Sequence, residues 1–423
     1  MMKARELSGS EFEHFAQQHS LQNLWQSPMM AAMQKDCGKT TAYVGVCDAK
    51  CPEELIGACL FIYEPAHFGM RLARSPRGPL IRRSDEETMT AVLQAFVSYL
   101  KTKNILYWRA DPYFPYQQRD LQGSPVGTAD KTVIDAFVQA GFHHDGFSVG
   151  LDPTKEPRWM HVVRVDGHEP LDLLDQFSRK ARRNIKAAQD MNVQIHELDK
   201  ANLGIVDRIL EETSRRKGFI WRDADYHRRL YRSFALDGAM KFLCASIDLK
   251  PYRSRLEADR SEALSMLRDT EQHLLQISSK KMLNRKAALE DKIRALEKKI
   301  DHARILADKD DGHQIMLAAG LFFTYGDEVL CLMSGESEGT EEFFGLYALH
   351  WHMIRYCLEH HKNRYNFYGI SGDFSPDAQD AGVFSYKKGS GGEVIELPGV
   401  FERPISRGRY IAYRLLKKVR HIL

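Results

Sequence analysis

The residues best suited to chemistry lie near the carboxyl end, where residues 365–392 read YNFYGISGDFSPDAQDAGVFSYKKGSGG. The aromatic run Tyr365-Asn366-Phe367-Tyr368 predicts a short buried strand. Gly369, Ser371 and Gly372 break it, and a polar loop follows through Pro376 and Asp380. A second apolar piece, Val383-Phe384, leads into Tyr386-Lys387-Lys388, and Gly389, Gly391 and Gly392 close the segment. Glycines at a strand end let a backbone approach a ligand closely. A lysine beside them supplies a compact cation. The same letters also spell a strand, a turn and a solvated lysine pair.

Three further groups bear charge in suggestive places. Arg74-Ser75-Pro76-Arg77-Gly78-Pro79-Leu80 is a kinked, rigid turn whose Arg77 guanidinium can grip a phosphate or carboxylate in bidentate fashion. An exposed arginine on a surface turn is the plainer reading. Residues 105–109 predict a strand, and Asp111-Pro112 at its carboxyl end sets a carboxylate to project into a cleft or to close an Asx turn. Farther on, Arg179, Lys180, Arg182, Arg183 and Lys186 crowd five cations into eight positions of a predicted helix. That exceeds what a solvated face requires, and arginine's planar fork suits phosphate.

Bulk properties set limits on these readings. At 423 residues the chain is too long for one simple core, so two or three units are expected. Its 43% hydrophobic and 10% aromatic content marks a globular protein. Sixty basic residues against 57 acidic leave +3, which excludes a polycation and confines any nucleic-acid contact to a local patch. The 7 cysteines lack paired metal-ligand spacing, since Cys47-x-x-x-Cys51 has no second pair, and predict reduced thiols with no bound metal. No apolar h-region opens the sequence and no apolar run reaches about 18 residues, which predicts a cytosolic protein able to visit a membrane surface.

Periodicity supplies the elements. Helices are expected over residues 8–18, 86–101, 131–140, 205–217, 226–234 and 343–360, the second with Met89, Val92, Leu93, Phe96 and Leu100 at three-four spacing. Strands are expected over 41–47, 55–63, 159–165, 240–247, 314–324, 329–334 and from 393. Between Pro251 and Gly312 neither proline nor glycine occurs. There Ala263, Leu267, Thr270, Leu274 and Ile277, then Leu289, Ile293, Leu296, Ile300 and Ala303, each follow a four-three alternation. With residues 278–284 as the turn, this predicts an antiparallel helical hairpin with arms about 35 Å long. After Pro404, Arg407, Arg409, Arg414 and Lys417 alternate with Tyr410, Ile411 and Tyr413, an amphipathic basic helix that docks on the globule or leans on anionic lipid.

In their order along the chain these motifs resemble the FemABX (FemA/MurM-like) aminoacyltransferases. Tyr365-x-Phe-Tyr-Gly-Ile-Ser-Gly followed by Gly-Val-Phe-x-Tyr-Lys-x-Gly-x-Gly-Gly carries the carboxyl-terminal signature. Pro76-Arg77-Gly78-Pro79, Asp111-Pro112-Tyr113, the Arg182-x-Asn184-Ile185-Lys186 core, Arg216-Lys217-Gly218-Phe219-Ile220-Trp221-Arg222 and the segment from Phe343 to Trp351 are also similar. Asn23-Leu24-Trp25-Gln26-Ser27 resembles the family's Phe-Leu-Gln-Ser motif. Here the chain departs from the pattern: Met30 stands where a tryptophan is usual, and Lys35 falls out of register with the family lysine.

The resemblance implies an α/β (α+β) fold of two GNAT-like acyltransferase subdomains. Residues 1–158 would form the first, 159–251 with 313–395 the second, 252–312 a helical arm, and 396–423 a return to the globule. It implies transfer of Ala, Ser or Gly from aminoacyl-tRNA to the stem-peptide amine of a peptidoglycan precursor, either lipid II or UDP-MurNAc-peptide. No cofactor is implied, and partners would include a membrane surface and a second copy or a related transferase. Lys387 would stabilise the tetrahedral oxyanion and Asp111 would accept the amine's proton. Arg77, Tyr386, Arg179, Arg182, Arg183, Lys186, Arg222, Gly369 and Ser371 would bind substrate. Two rivals remain. An acetyl-CoA-dependent N-acetyltransferase would need a glycine-rich pyrophosphate loop opening a helix, whereas the glycines at 389–392 precede a strand. A non-catalytic tRNA- or protein-binding module would use the arm as its surface.

Overall fold

Local periodicity is realised as burial. In the helix Glu86–Lys101, Met89, Val92, Leu93, Phe96 and Leu100 are all buried, and Asp85 caps the amino end by accepting from the Thr88 N–H. That apolar stripe covers a sheet face through Phe61 and Trp108, whose rings meet Phe96 edge-on at 5.7 and 6.0 Å. Ser8 and Glu11 form a reciprocal capping box that starts the first helix, Gly9–Gln17.

The computed structural model describes residues 2–66, 69–82, 85–152, 154–217, 223–277, 279–309 and 314–420. Among these, two mixed sheets carry the fold. The first runs in the order Met2–Glu6, Thr40–Asp48, Cys51–Pro65, Arg71–Arg77, Ile105–Pro112, Phe401–Pro404 and His143–His144, with Leu80–Ile81 paired to Cys51–Pro65. The second runs Gln194–Glu197, Met240–Asp248, Gln314–Phe323, Glu328–Glu336, Arg364–Ile370, Trp159–Arg164, Glu393–Glu396, Gln117–Arg119 and Pro125–Val126. Each is largely antiparallel but contains one parallel pair: Arg71–Arg77 with Ile105–Pro112, and Glu328–Glu336 with Arg364–Ile370. A helix crosses over within each pair, Glu86–Lys101 in one and Gly345–Glu359 in the other. The mixed α/β class expected from the sequence is the one observed.

The chain does not stay within one sheet before starting the next. Gln117–Arg119 and Pro125–Val126, from the amino-terminal half, extend the second sheet by pairing with Glu393–Glu396. Phe401–Pro404 crosses back to pair with both Ile105–Pro112 and His143–His144 in the first. One buried cluster joins Phe12, Trp25 and Leu60 to Val206, Phe242 and Leu321, so the two halves share a core.

The inserted arm is a hairpin of Leu249–Gln276 and Lys280–Lys309. Its first helix begins ahead of Pro251, which sits in the first turn where a missing N–H costs nothing. Lys280 already starts the second helix, so the turn is tighter than residues 278–284, and Ile277 lies at the tip, 74% exposed, and not in the seam. Ala263, Thr270, Leu289, Ile293, Leu296 and Ala303 are buried as the alternation requires. Arg260–Glu297 (3.0 Å) and Lys286–Glu271 (2.7 Å) bridge the helices and fix their register. At the root, Leu256, Leu296, Ala303 and Leu306 enter the core of the second half.

Candidate active site

The second parallel pair holds together over a short length and then opens. Glu328, Val329 and Leu330 pair with Arg364, Tyr365 and Asn366. Beyond them, Glu328–Glu336 continues along Gln314–Phe323, while Arg364–Ile370 continues along Trp159–Arg164. The two edges therefore diverge into a fork. Its root is locked by Glu328, which accepts from Arg364 Nε at 2.8 Å, Asn366 Nδ2 at 3.1 Å and Tyr113 OH at 3.0 Å. Tyr113 comes from the first half, so the Asp-Pro-Tyr motif ties one sheet to the fork of the other.

Lys387 reaches this fork from a helix, Ala381–Lys388, where the sequence suggested only an apolar piece leading on from a loop. Its Nζ donates to Gly369 O at 2.6 Å, and burial pulls its pKa down to about 8. Two buried histidines stand near it. His161 bonds Gly391 O at 2.8 Å, and His350 bonds the Tyr365 hydroxyl at 2.6 Å and Ser334 Oγ at 3.2 Å. Burial first, and the Lys387 cation second, push both imidazoles down to about 3. They are neutral at pH 7, leaving Lys387 as the cation of this group. A part-buried cation so placed can stabilise a developing oxyanion better than one in bulk solvent.

The residues around Lys387 divide into those that face the fork and those that brace it. Tyr386 packs edge-on against Tyr347 at 4.9 Å and tilts against His350 at 5.6 Å. Ser371 is 4% exposed, with its N–H and hydroxyl both given to Asp380, so its side chain anchors the loop. The glycines serve close packing of the chain on itself. A Cβ at Gly369 would meet Pro157 Cβ at 2.7 Å, and one at Gly392, whose φ is +87°, would meet Val162 O at 2.3 Å.

The basic helix Arg179–Asp190 abuts the same turn. Ser178 N–H donates to Gly389 O at 2.9 Å, which seats the start of the helix on the residue after Lys387-Lys388. Ala181, Asn184, Ile185 and Ala188 are buried, while Arg179, Lys180, Arg182, Arg183 and Lys186 are all exposed. Arg182 pairs with Asp175 at 3.1 Å and Lys186 with Asp190 at 3.2 Å. Among the described residues Arg179 and Arg183 have no ion-pair partner. Arg222 lies outside the described residues.

Arg77 and Asp111 end the parallel strands of the first half, Pro76 standing opposite Asp111. Asn23 and Gln26 hold this turn by donating to Arg77 O (3.2 Å) and Pro76 O (2.8 Å), which explains why the Asn-Leu-Trp-Gln-Ser segment is where it is. Arg77 is 2% exposed and is no surface arginine: it donates to Pro157 O at 2.7 Å, stands 3.8 Å from Asp111 and lies under the Trp25 and Tyr113 rings. Asp111 accepts from the Arg77 N–H at 3.2 Å, across the sheet, and so does not close a local Asx turn. Burial raises its carboxyl to about 6 although Arg77 opposes the rise, and Glu156 adds to it. Sequence reasoning missed Glu156, whose carboxylate takes the Tyr368 hydroxyl, and Tyr368 itself, which stacks on Trp25 at 5.8 Å. Arg77 and Tyr368 both have left-handed backbone, at φ 54° and 64°. Strained non-glycine residues close to one another are a recurrent mark of functional sites. Tyr368 precedes Gly369, the Lys387 acceptor, so the Arg77–Asp111 group and the fork adjoin along the chain.

A fork holding a lysine, a basic helix at its rim and a buried arginine–carboxylate pair beside it are gathered on a mixed α/β scaffold. The family model described as the FemAB family matches residues 7–418. Aminoacyltransferase FemA of Staphylococcus epidermidis is 32% identical over 424 residues, covering 99% of this chain and 100% of that protein. Aminoacyltransferase FemA of Staphylococcus aureus (strain N315) is 32% identical over 425 residues, with 99% of each chain covered. The crystal structure of FemX shares the fold at a TM-score of 0.75 and 20% identity, covering 97% of this chain and 99% of that one. This chain belongs to the FemAB family. Among the described residues no helix is long and apolar enough to cross a membrane.

Proposed function

We propose that this protein is an aminoacyltransferase that moves Ala, Ser or Gly from aminoacyl-tRNA to the stem-peptide amine of a peptidoglycan precursor, with lipid II as acceptor. The observation that carries the reading is Lys387, fixed on Gly369 O at 2.6 Å in a fork whose rim is the basic helix. Family membership and the FemA relatives support the reaction class. The donor ester is already activated, so the protein must mainly bring two substrates together and stabilise charge. The amine nitrogen attacks the ester carbonyl, and its oxygen becomes an oxyanion facing Lys387. Asp111 takes the amine's proton, the carbon–oxygen bond to the ribose breaks, and the freed ribose oxygen is reprotonated. The exposed arginines and Lys186 face the phosphates near the tRNA 3′ end, while Arg77 orients Asp111 from its buried seat. Incubating the purified protein with alanyl-, seryl- and glycyl-tRNA and lipid II, then weighing the product, tests this. An acceptor of unchanged mass with every donor overturns it.

The basic helix gives a separate expectation. Each phosphate contact contributes about 0.7 to the slope of log affinity against log salt on a single strand. Arg179→Gln combined with Arg183→Gln should therefore flatten that slope for aminoacyl-tRNA by roughly 1.4 while leaving the melting temperature in place. An unchanged slope removes this helix from the tRNA site.

The arm carries mixed charge along its exposed faces and no dense basic stripe, so its expected task is to place a partner. Cutting it beyond the Arg260–Glu297 bridge spares the root that enters the core. With residues 264–293 replaced by a short Gly-Ser linker, the globule should melt cooperatively and still transfer to a soluble precursor analogue. Transfer to lipid II in membranes should fall by comparison. Loss of transfer to the soluble analogue in a folded protein places the arm in the active site instead.

A further inference from the structure

Glu336 ends the strand Glu328–Glu336, on the arm of the fork opposite Gly369 and Lys387. Side chains alternate along a strand. Ser334, two residues back, contacts His350, whereas Gly335 between them lies against the helix Leu203–Lys217, where a Cβ would meet Thr213 Oγ1 at 2.4 Å and Leu210 at 3.1 Å. Glu336 is thereby turned to the side of His350 and Tyr347. Its backbone is fixed, with N–H donating to Thr213 Oγ1 at 3.1 Å and its carbonyl accepting from Thr213 and Arg216. Its carboxylate has no hydrogen bond or ion pair among the described residues. The nearby guanidinium of Arg216 goes to Glu341 instead, at 3.1 Å.

A half-buried carboxylate that no cation touches, with Arg216 and Lys217 acting on it only from a distance, is an unfinished arrangement. Burial, and then the like charge of Glu341, lift its pKa to about 7, a cost that a bound cation would relieve. Lys387 is not that cation: besides burial, the groups that act on it are Cys331 and Asp380, and Glu336 is not among them. Arg216 and Lys217 lower the Glu336 pKa in part, neither within ion-pair distance of the carboxylate, and Tyr347 and Tyr386, whose rings meet edge-on at 4.9 Å, also feel its charge. One carboxylate within electrostatic reach of two aromatic rings is a chemistry that favours an organic ammonium. A divalent metal would require several more oxygen ligands, and no cluster of three His, Cys, Asp or Glu occurs among the described residues.

We infer that Glu336, with the rings of Tyr347 and Tyr386, holds the α-ammonium of the amino acid being transferred, so that the fork admits aminoacyl esters and discriminates against esters lacking that charge. The inference rests on the aminoacyl-ester reading above. In such an ester the ammonium sits on the carbon next to the carbonyl. A donor whose carbonyl oxygen is held from the Lys387 arm carries its ammonium toward the facing arm, where Glu336 stands. Carboxylate and lysine thus grip opposite ends of one small acyl group.

The test pairs each donor with its α-hydroxy counterpart, in which a hydroxyl replaces the ammonium: alanyl- with lactyl-tRNA, seryl- with glyceryl-tRNA, and glycyl- with glycolyl-tRNA. With the wild-type protein, kcat/KM should favour the amino donor by about 10- to 100-fold, the size of one charge-assisted hydrogen bond. In Glu336→Gln, which keeps the side chain's shape, that ratio should collapse to within about threefold, while Glu336→Asp should keep part of it. Should Glu336→Gln fail to melt cooperatively, Glu336→Asp and Tyr347→Leu carry the same ratio measurement. A variant that slows both donors equally, with the ratio intact, assigns Glu336 to proton transfer or to folding and overturns the inference. Transfer by the wild-type protein from none of the amino donors defeats the aminoacyl-ester reading itself, and this inference with it.

Discussion

Lys387→Met should raise the barrier to transfer by about 2–4 kcal/mol, the size of losing one oxyanion donor, or roughly 30- to 1,000-fold in kcat. Methionine keeps the length and apolar stem of the side chain, so helix Ala381–Lys388 should keep its seat. What disappears is a cation anchored at 2.6 Å on Gly369 O and set among neutral histidines. In that setting the charge acts at low effective dielectric, which is why one residue carries so large an effect. Lys388→Met, one position round the helix, should do much less. The pH profile supplies an independent reading. Burial places the Lys387 pKa near 8, so the cation is present below that value and lost as pH rises through it. Wild-type kcat should fall above about 8, and Lys387→Met should lack that alkaline limb. Equal losses from both methionine variants, with both proteins folded, would remove Lys387 from its role.

How much of this was legible in the letters depended on how local the cause was. The apolar face of Glu86–Lys101 and the seam of the arm follow from spacing within one element, and both are observed. Lys387 was visible through its motif, but its helix was not: Gly382 and Val383 blur helical propensity, and packing of Phe384 beside Trp159 and Val394 decides the matter. Arg77 looked like a hand held out to a ligand. Its partner Pro157 lies 80 residues away, and nothing near Arg77 in the chain announces that it will be buried. Glu336 carried no signal at all. A glutamate at a strand end is ordinary until the fold divides two parallel strands and leaves it on the inner edge. Glu156 became notable in the same way, by the arrival of Tyr368. Residue types and order identify the family, whereas long-range packing determines which charges are buried and which are left without partners.

Asp111→Asn should lower kcat by roughly 100-fold or more and flatten the acid limb of the pH profile. Asparagine retains an oxygen to accept the Arg77 N–H, now at 3.2 Å, so the parallel strands should stay registered and the protein folded. The loss would then report chemistry. Asp111 has what a proton acceptor needs: burial has lifted its carboxyl to about 6, close enough to neutrality to exchange a proton with an amine. Arg77, at 3.8 Å, opposes that rise and also aims the carboxylate. The path toward the reacting carbon is short in residues. Glu156, which feels Asp111, holds the Tyr368 hydroxyl, and Tyr368 precedes the glycine that anchors Lys387. The sign of the pH effect follows from the direction of the shift. The carboxylate that accepts the proton exists above about 6 and is lost as pH falls through it, so wild-type rate should decline on the acid side with a midpoint near 6. Asp111→Asn should show no such decline, whatever its absolute rate. Should the variant keep its rate per folded molecule within a few-fold, with the acid limb intact, Asp111 only braces the Arg77 turn, and the amine delivers its proton to water or to the substrate.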